Sequence, residues 1–281
     1  MDLNSVGEIM KNNNYNKRFE LIENELQYLK VQNDELIKKM DFIKYLILFS
    51  SNNESSNMIN FCPVCGEFSE FLPFGIIPRD HAQCPHCRSL ERHRFTFLLF
   101  KRYENLLNKN ISLLHFAPEP IFYKYFDNKM NIDYFPVDFN PTQYESTNIK
   151  ICQKVNMEDI PYDDYRFDII YNSHVLEHVP DDIKAMKELY RVLKKEGICI
   201  ISVPMSKSPK TLEEPQYNSP ELREKYYGQE DHLRRYGLDF KERLESVGFK
   251  VDEIKPIDVV DNILEKKLYG LSDSSIFVCT K

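Results

Sequence analysis

From residue 96 onward, short β-type runs alternate with segments of helical period, and this alternation limits the fold more than any other feature. The runs ISLLHF (111–116), NIDYFPVD (131–138), NIKICQKV (148–155), FDIIYNS (167–173) and ICIISVP (198–204) read as strands of a parallel sheet. FKVDEIKPI (249–257) and SSIFVCT (274–280) read as a closing pair. Between them, residues 181–195 carry an apolar stripe of Ile183, Met186, Leu189, Tyr190 and Leu193, which predicts a helix that Gly197 can end. A second helix is expected over 238–248, with Gly248 as its stop. The expectation is an α/β domain with a doubly wound, mostly parallel seven-stranded sheet. A hydrophobic content of 42 % suffices for its core.

The sequence divides into three parts. Residues 1–57 form a helical segment and linker, 58–95 a cysteine-bearing module, and 96–281 the α/β domain. In the first part, Phe19, Ile22, Leu26, Leu29, Asn33, Leu36, Met40, Ile43 and Ile47 keep three-four spacing. With Phe19 at a heptad a position, Asn33 falls at a as well, where a buried Asn favours a parallel two-stranded register. Arg18 with Glu23 and Glu25 with Lys30 bring opposite charges to the flanking positions, whereas Lys39 and Lys44 bring like charges. The expected partner is a second copy of the chain, paired through residues 16–49. A single amphipathic helix packed on its own domain is the alternative. No stretch is apolar over a span that could cross a bilayer, and no secretory leader is visible, so the expected location is the cytoplasm.

In the middle part, Cys62-Pro-Val-Cys65 and Cys84-Pro-His-Cys87 stand eighteen residues apart. Two such knuckles converge four thiolates on one ion, the donor set of structural zinc with no open position for chemistry; two unrelated CxxC turns or a redox pair are the alternative. His81, His86 and His93 are weaker alternatives as ligands. Arg88, Arg92 and Arg94 follow the second knuckle and are candidates for gripping an anionic substrate group, or equally for a solvated helix face. The net charge of −7 argues against a general nucleic-acid binder.

In an open α/β sheet the ligand sits beyond the carboxyl ends of the strands. The first strand leads into HFAPEP (115–120), and the second ends in Asp138, where an acid can accept both hydroxyls of a ribose or serve only as a strand-end turn residue. The glycines that admit a pyrophosphate are missing, which disfavours a hydride-transfer dinucleotide.

The stretch NMEDIPYDDYRFDIIYNSHVLEHVPDDIKAMKELYRVLKKEGICIISVP (156–204) resembles class I S-adenosylmethionine-dependent methyltransferases, which have a Rossmann-like fold. CPVCG, CPHCRSLERHR, LLHFAPEP and YGQEDHLRRYGLDFKERLESVGF are similar to a subgroup with an N-terminal zinc ribbon. The resemblance implies S-adenosylmethionine as cofactor. It assigns His115, Ala117 and Glu119 to the loop around its methionine part and Asp138 to its ribose. Asn156 and Met157 would meet its adenine, and Ser173 and His174 would lie beside its sulfonium. The usual glycines of that loop are here Ala117, Pro118 and Glu119. Methyl transfer to a hydroxyl needs a proton acceptor, for which His232, His178 and His174 are candidates. His232 lies in a segment that commonly lids the substrate in this family. Arg234 and Arg235 beside it, with Arg88, Arg92 and Arg94, suggest an anionic or phosphorylated acceptor. The function expected is O-methylation of a small saccharide or nucleotide-linked metabolite, with surface-polysaccharide assembly as the family's setting. An RNA methyltransferase and a catalytically silent dimeric scaffold are the alternatives.

Overall fold

The computed structural model describes residues 59–281 and eight positions between Ile22 and Leu36. The chain divides into two compact units, 1–59 and 60–281. In the first, Ile22, Leu26, Leu29, Asn33 and Leu36 are helical and exposed. The remaining heptad positions, Phe19, Met40, Ile43 and Ile47, lie outside the described residues. No helix among the described residues is long and apolar enough to cross a membrane.

The second unit begins with β1 (Ile59–Phe61) paired to β2 (Phe68–Glu70) and β3 (Leu72–Phe74) paired to β4 (Arg79–Gln83). Next come α1 (Glu91–Arg102) and the single turn α2 (Glu104–Leu107). Then follow β5 (Ile111–Phe116), α3 (Pro120–Asp127), β6 (Ile132–Asp138) and β7 (Gln153–Lys154). β8 (Phe167–Ser173) runs into a 3-10 turn (Leu176–His178), α4 (Asp182–Val192) and β9 (Leu193–Ser202). The chain closes with α5 (Pro220–Tyr227), α6 (Phe240–Ser246), β10 (Lys250–Ile254), α7 (Ile263–Leu268) and β11 (Ile276–Thr280).

The large sheet has seven strands in the order β10-β11-β9-β8-β5-β6-β7. β11 is antiparallel to both neighbours, while β5, β6, β7, β8 and β9 pair in parallel. This is the Rossmann-like doubly wound arrangement expected from the alternating runs. Every residue of β5 is buried, and so are Ile169, Ile170, Ile200 and Ile201. Sheets covered on both faces require such unbroken apolar strands. Strand order reverses between β5 and β8, the switch point at whose carboxyl ends sheets of this kind carry their ligand crevice.

The main differences from the expected extents concern α4 with β9, β7 and the start of the α/β domain. The helix expected over 181–195 stops at Val192, because Leu193 already pairs with Phe167 and buries fully in the sheet. Gly197 is therefore no helix stop. It lies inside β9, where an added Cβ would come within 2.9 Å of the Asp168 carbonyl oxygen and the Leu193 side chain. The strand expected over 148–155 shrinks to Gln153–Lys154 at the sheet edge, paired with Val137 and Asp138. The expected boundary at residue 95 falls within α1, a continuous helix that begins beside the second cysteine pair.

Candidate functional site

The four cysteines of the middle part come together. Their sulfurs all lie within 4.8 Å of one another, with Cys62–Cys87 at 3.5 Å and Cys65–Cys84 at 3.8 Å. A tetrahedral ion with metal–sulfur bonds of about 2.3 Å has sulfur–sulfur edges of roughly 3.8 Å. The two knuckles also share one hydrogen-bond plan. Gly66 N–H donates to the Cys62 carbonyl at 2.8 Å and Arg88 N–H to the Cys84 carbonyl at 2.9 Å. Cys62 N–H donates to Glu67 O, and Cys84 N–H to Ser89 O, both at 2.9 Å. Gly66 and Arg88 occupy the matching left-handed position, with φ of 78° and 64°. Crowding splits the thiols: the hydrogen bond with Cys87 pushes Cys62 up, and the same bond holds Cys87 down at about 4. These residues fit a zinc ion in donor type and spacing. Of the alternative ligands, His86 is exposed and His93 is occupied elsewhere.

Helix α1 carries the cysteine module toward the crevice. Its start is fixed by Leu90 N–H donating to His93 Nδ1 at 3.1 Å. That leaves His93 Nε2 facing Glu119 Oε1 at 3.4 Å, with Arg92 Nε at 3.8 Å. Glu119 caps α3 directly after the first crevice loop. His115 Nε2 lies 3.9 Å from its other oxygen, which accepts a hydrogen bond from the Tyr171 hydroxyl at 3.2 Å. Burial by itself would raise the Glu119 pKa, but His115 and His93 outweigh it and hold the carboxyl well below the usual range. His115 is fully buried, which pushes its pKa down, and its Nδ1 lies 2.8 Å from the Tyr134 hydroxyl. Ala117 completes the loop at φ 48°.

Across the crevice, Asp138 ends β6 with 6 % exposure. Its carboxylate accepts from Asn140 N–H at 2.6 Å and from the Tyr144 hydroxyl at 3.0 Å. Burial, then the Asp138 charge, and further down Glu119, push the Tyr144 phenol up. Asn156 is exposed, its side chain accepting from Glu158 N–H at 3.0 Å, and Met157 is buried beside it. Ser173 is buried and accepts from the Ser202 hydroxyl at 3.0 Å. Asn172 preceding it is fully buried, with neither side-chain amide atom hydrogen-bonded among the described residues. The donor set fits an S-adenosyl ligand: one carboxylate at the tip of the second parallel strand, a second in the first loop, and orphaned polar atoms at the end of the fourth.

His174, His178 and His232 come together around a residue the sequence reading passed over, Glu177. His174 Nδ1 is 3.3 Å from Glu177 Oε1, and the rings of His178 and His232 meet edge-on with centroids 4.7 Å apart. His178 Nδ1 lies 3.2 Å from Asp231 Oδ2, and His232 Nδ1 lies 3.1 Å from the Tyr227 carbonyl. Burial pushes the His232 pKa down, so the ring is held neutral. The available signal was spacing: in His174-Val-Leu-Glu177-His178 the acid sits between two histidines.

Two arginines are placed otherwise than expected. Arg94 is fully buried, and its guanidinium donates to the carbonyls of Tyr269, Ala82, Ser89 and Gly270 at 2.6–3.0 Å while covering the Phe71 ring. Arg234 is likewise buried, donating to the carbonyls of Leu176, Val179 and Pro180 and to Glu213. Four of the five N–H groups of Arg94 and all five of Arg234 are taken, so both forks are committed to holding the chain rather than open to a substrate. Arg88 and Arg235 are exposed, and Arg92 is partly so.

Residues 121–201 match the family model described as a methyltransferase domain, a span from α3 to β9 that includes Asp138, Glu177 and His178. A curated relative, the ubiquinone/menaquinone biosynthesis C-methyltransferase of Citrifermentans bemidjiense, is 33 % identical over 75 residues. That alignment covers 23 % of this chain and 32 % of the relative, so the chain spans about a third of that protein's length. Among solved structures, a SAM-dependent methyltransferase from Archaeoglobus fulgidus is similar at 16 % identity and TM-score 0.45, covering 69 % of this chain and 96 % of that one. The Burkholderia thailandensis 1,6-didemethyltoxoflavin-N1-methyltransferase is similar at 14 % identity and TM-score 0.43, covering 66 % and 76 %.

Proposed function

We propose that this chain is a class I S-adenosylmethionine-dependent methyltransferase acting on a small, oxygen-rich, anionic acceptor. The observation that carries this reading is the placement of Asp138. It is a buried carboxylate at the tip of the strand next to β5, on the crevice edge, within the span that matches the methyltransferase domain. When bound, the cofactor supplies a methyl carbon already activated by its sulfonium. Asp138 holds the ribose diol with the lone pairs that Asn140 and Tyr144 leave free. Glu119 and the backbone around Ala117 face the methionine end, and Asn156 with Met157 line the adenine. Ser173 and His174 stand where donor and acceptor meet.

His174, the most open of the three histidines, takes the acceptor's proton. Its Nδ1 faces Glu177, so Nε2 is left to accept. His178 and His232 orient the acceptor. Exposed Arg235 and partly exposed Arg92 supply positive charge for an anionic group. A saccharide or nucleotide-linked metabolite fits this chemistry, and the acidic net charge speaks against RNA. The four cysteines hold structural zinc, and the exposed heptad residues pair two chains.

Isothermal calorimetry with S-adenosylhomocysteine tests the reading. The wild-type chain should bind, and Asp138→Ala should lose about ten- to a hundredfold in affinity, the worth of a charged hydrogen-bond pair of roughly 1.5–3 kcal/mol. Absence of binding by the folded wild type would leave a metal-stapled scaffold instead.

A further inference from the structure

Glu177 presents a problem that methyl transfer alone does not solve. It is 1 % exposed, and neither carboxylate oxygen accepts a hydrogen bond among the described residues. His174 Nδ1 stands 3.3 Å from Oε1 without a hydrogen bond, and a buried carboxylate is strongly unfavourable unless a cation or donors compensate it. The neighbours are imidazoles rather than lysine or arginine. One ligand atom each from Glu177, His178 and His232 lies within 4.8 Å of the others.

We propose that Glu177, His178 and His232 form a binding site for a first-row divalent cation of the Mn²⁺, Fe²⁺ or Co²⁺ class, separate from the four-cysteine centre. Two imidazoles and one carboxylate are a donor set that such ions favour and that leaves coordination positions open. The outer contacts are those of ligating histidines. The Asp231 carboxylate faces Nδ1 of His178, and the Tyr227 carbonyl faces Nδ1 of His232, so each ring directs its Nε2 lone pair elsewhere.

The frame around the site is fixed. Glu177 and His178 stand on the turn that follows β8, and His232 is brought in by the segment after α5. Leu233 N–H donates to the Glu177 carbonyl at 2.8 Å. Arg234 donates to the carbonyls of Leu176 and Pro180 at 2.9 and 2.8 Å, and also to Val179. The Tyr236 hydroxyl reaches the Leu176 carbonyl at 3.3 Å. The backbone thus holds the third ligand against the other two without help from any ion. One carboxylate and two neutral imidazoles around a divalent ion leave a net positive centre. Its open positions would take two acceptor oxygens, such as neighbouring hydroxyls or a hydroxyl beside a carboxylate. Only that last role rests on the methyltransferase reading, since the ion site stands on geometry alone.

The test is Mn²⁺ binding to the full-length chain, followed by loss of the free-ion electron paramagnetic resonance signal without cofactor. Mn²⁺ prefers oxygen and nitrogen to thiolate, so the cysteine centre does not compete. One ion per chain is expected, with affinity lower by roughly ten- to a hundredfold in Glu177→Gln and in His232→Gln. Thermal melting supplies the second readout. Mn²⁺ should raise the midpoint of the wild type and not that of Glu177→Gln. The metal-free Glu177→Gln chain should melt no lower than the metal-free wild type, because the change removes a buried charge. The proposal is overturned if the folded wild type leaves Mn²⁺ and Co²⁺ free at millimolar concentration, or if Glu177→Gln binds as the wild type does. Calorimetry with S-adenosylhomocysteine on the same preparations keeps the two readings apart. Ion binding without cofactor binding sinks the methyltransferase reading alone, and the converse sinks the ion site alone.

Discussion

Ala117 holds a left-handed φ of 48° in the loop after β5, a conformation in which a Cβ is unfavourable. Ala117→Gly should therefore raise unfolding free energy by about 1 kcal/mol, read as a higher urea midpoint at unchanged slope. The usual glycine is not forbidden here; the chain tolerates a strained alanine instead. Residues at this scale were legible where position alone dictates their surroundings. Asp138 at a strand tip and four cysteines in two knuckles belong to that group. The arginines were not. Sequence spacing puts Arg94 among Arg88 and Arg92 as a basic cluster, but helix phase turns Arg94 inward onto four carbonyls. Glu177 was missed because the spacing that sets it between His174 and His178 does not reveal that it is 1 % exposed with neither carboxylate oxygen hydrogen-bonded among the described residues.

At the scale of elements, α1 is the joint between the cysteine module and the crevice. Arg94 ties it to the loops around Ala82, Ser89, Tyr269 and Gly270, and a Cβ on Gly270 would crowd that guanidinium and Phe71 at 3.0–3.1 Å. Lysine carries the charge but not the fork. Arg94→Lys should cost about 3–5 kcal/mol, because several carbonyls lose their donors and a charge stays buried. Chemical denaturation of the variant checks this. Strand and helix order was readable from periodicity, and the sheet followed from it. Ends were less readable. Leu193 satisfies the helical stripe, yet pairing with Phe167 claims it for β9, and the β7 run yields only two paired residues at an open edge.

For the whole molecule, the four-cysteine cluster and the loop after β5 are linked through one chain of contacts: cysteines, the start of α1, then Arg92 and His93 on Glu119. If zinc fills that cluster and the loop after β5 holds the cofactor, a strong chelator should lower affinity for S-adenosylhomocysteine by about five- to thirtyfold, a coupling of ordinary allosteric size. Titration before and after chelation measures it. The heptad residues Ile22, Leu26, Leu29 and Leu36 each expose about half of their surface or more. If they pair two chains, Leu29→Asp should halve the mass found by light scattering at micromolar concentration.

The carbonyl clamp of Arg234 has its own consequence for molecules that come and go. It rivets the stretch around 232–236 to the floor of the crevice, so this stretch cannot swing as a door. Upstream, Tyr217 and Tyr226 stack on each other with centroids 3.9 Å apart and take no part in that clamp. His232 is therefore presented from a part of the chain already locked to the turn after β8, so whatever meets this ring must fit a position set beforehand.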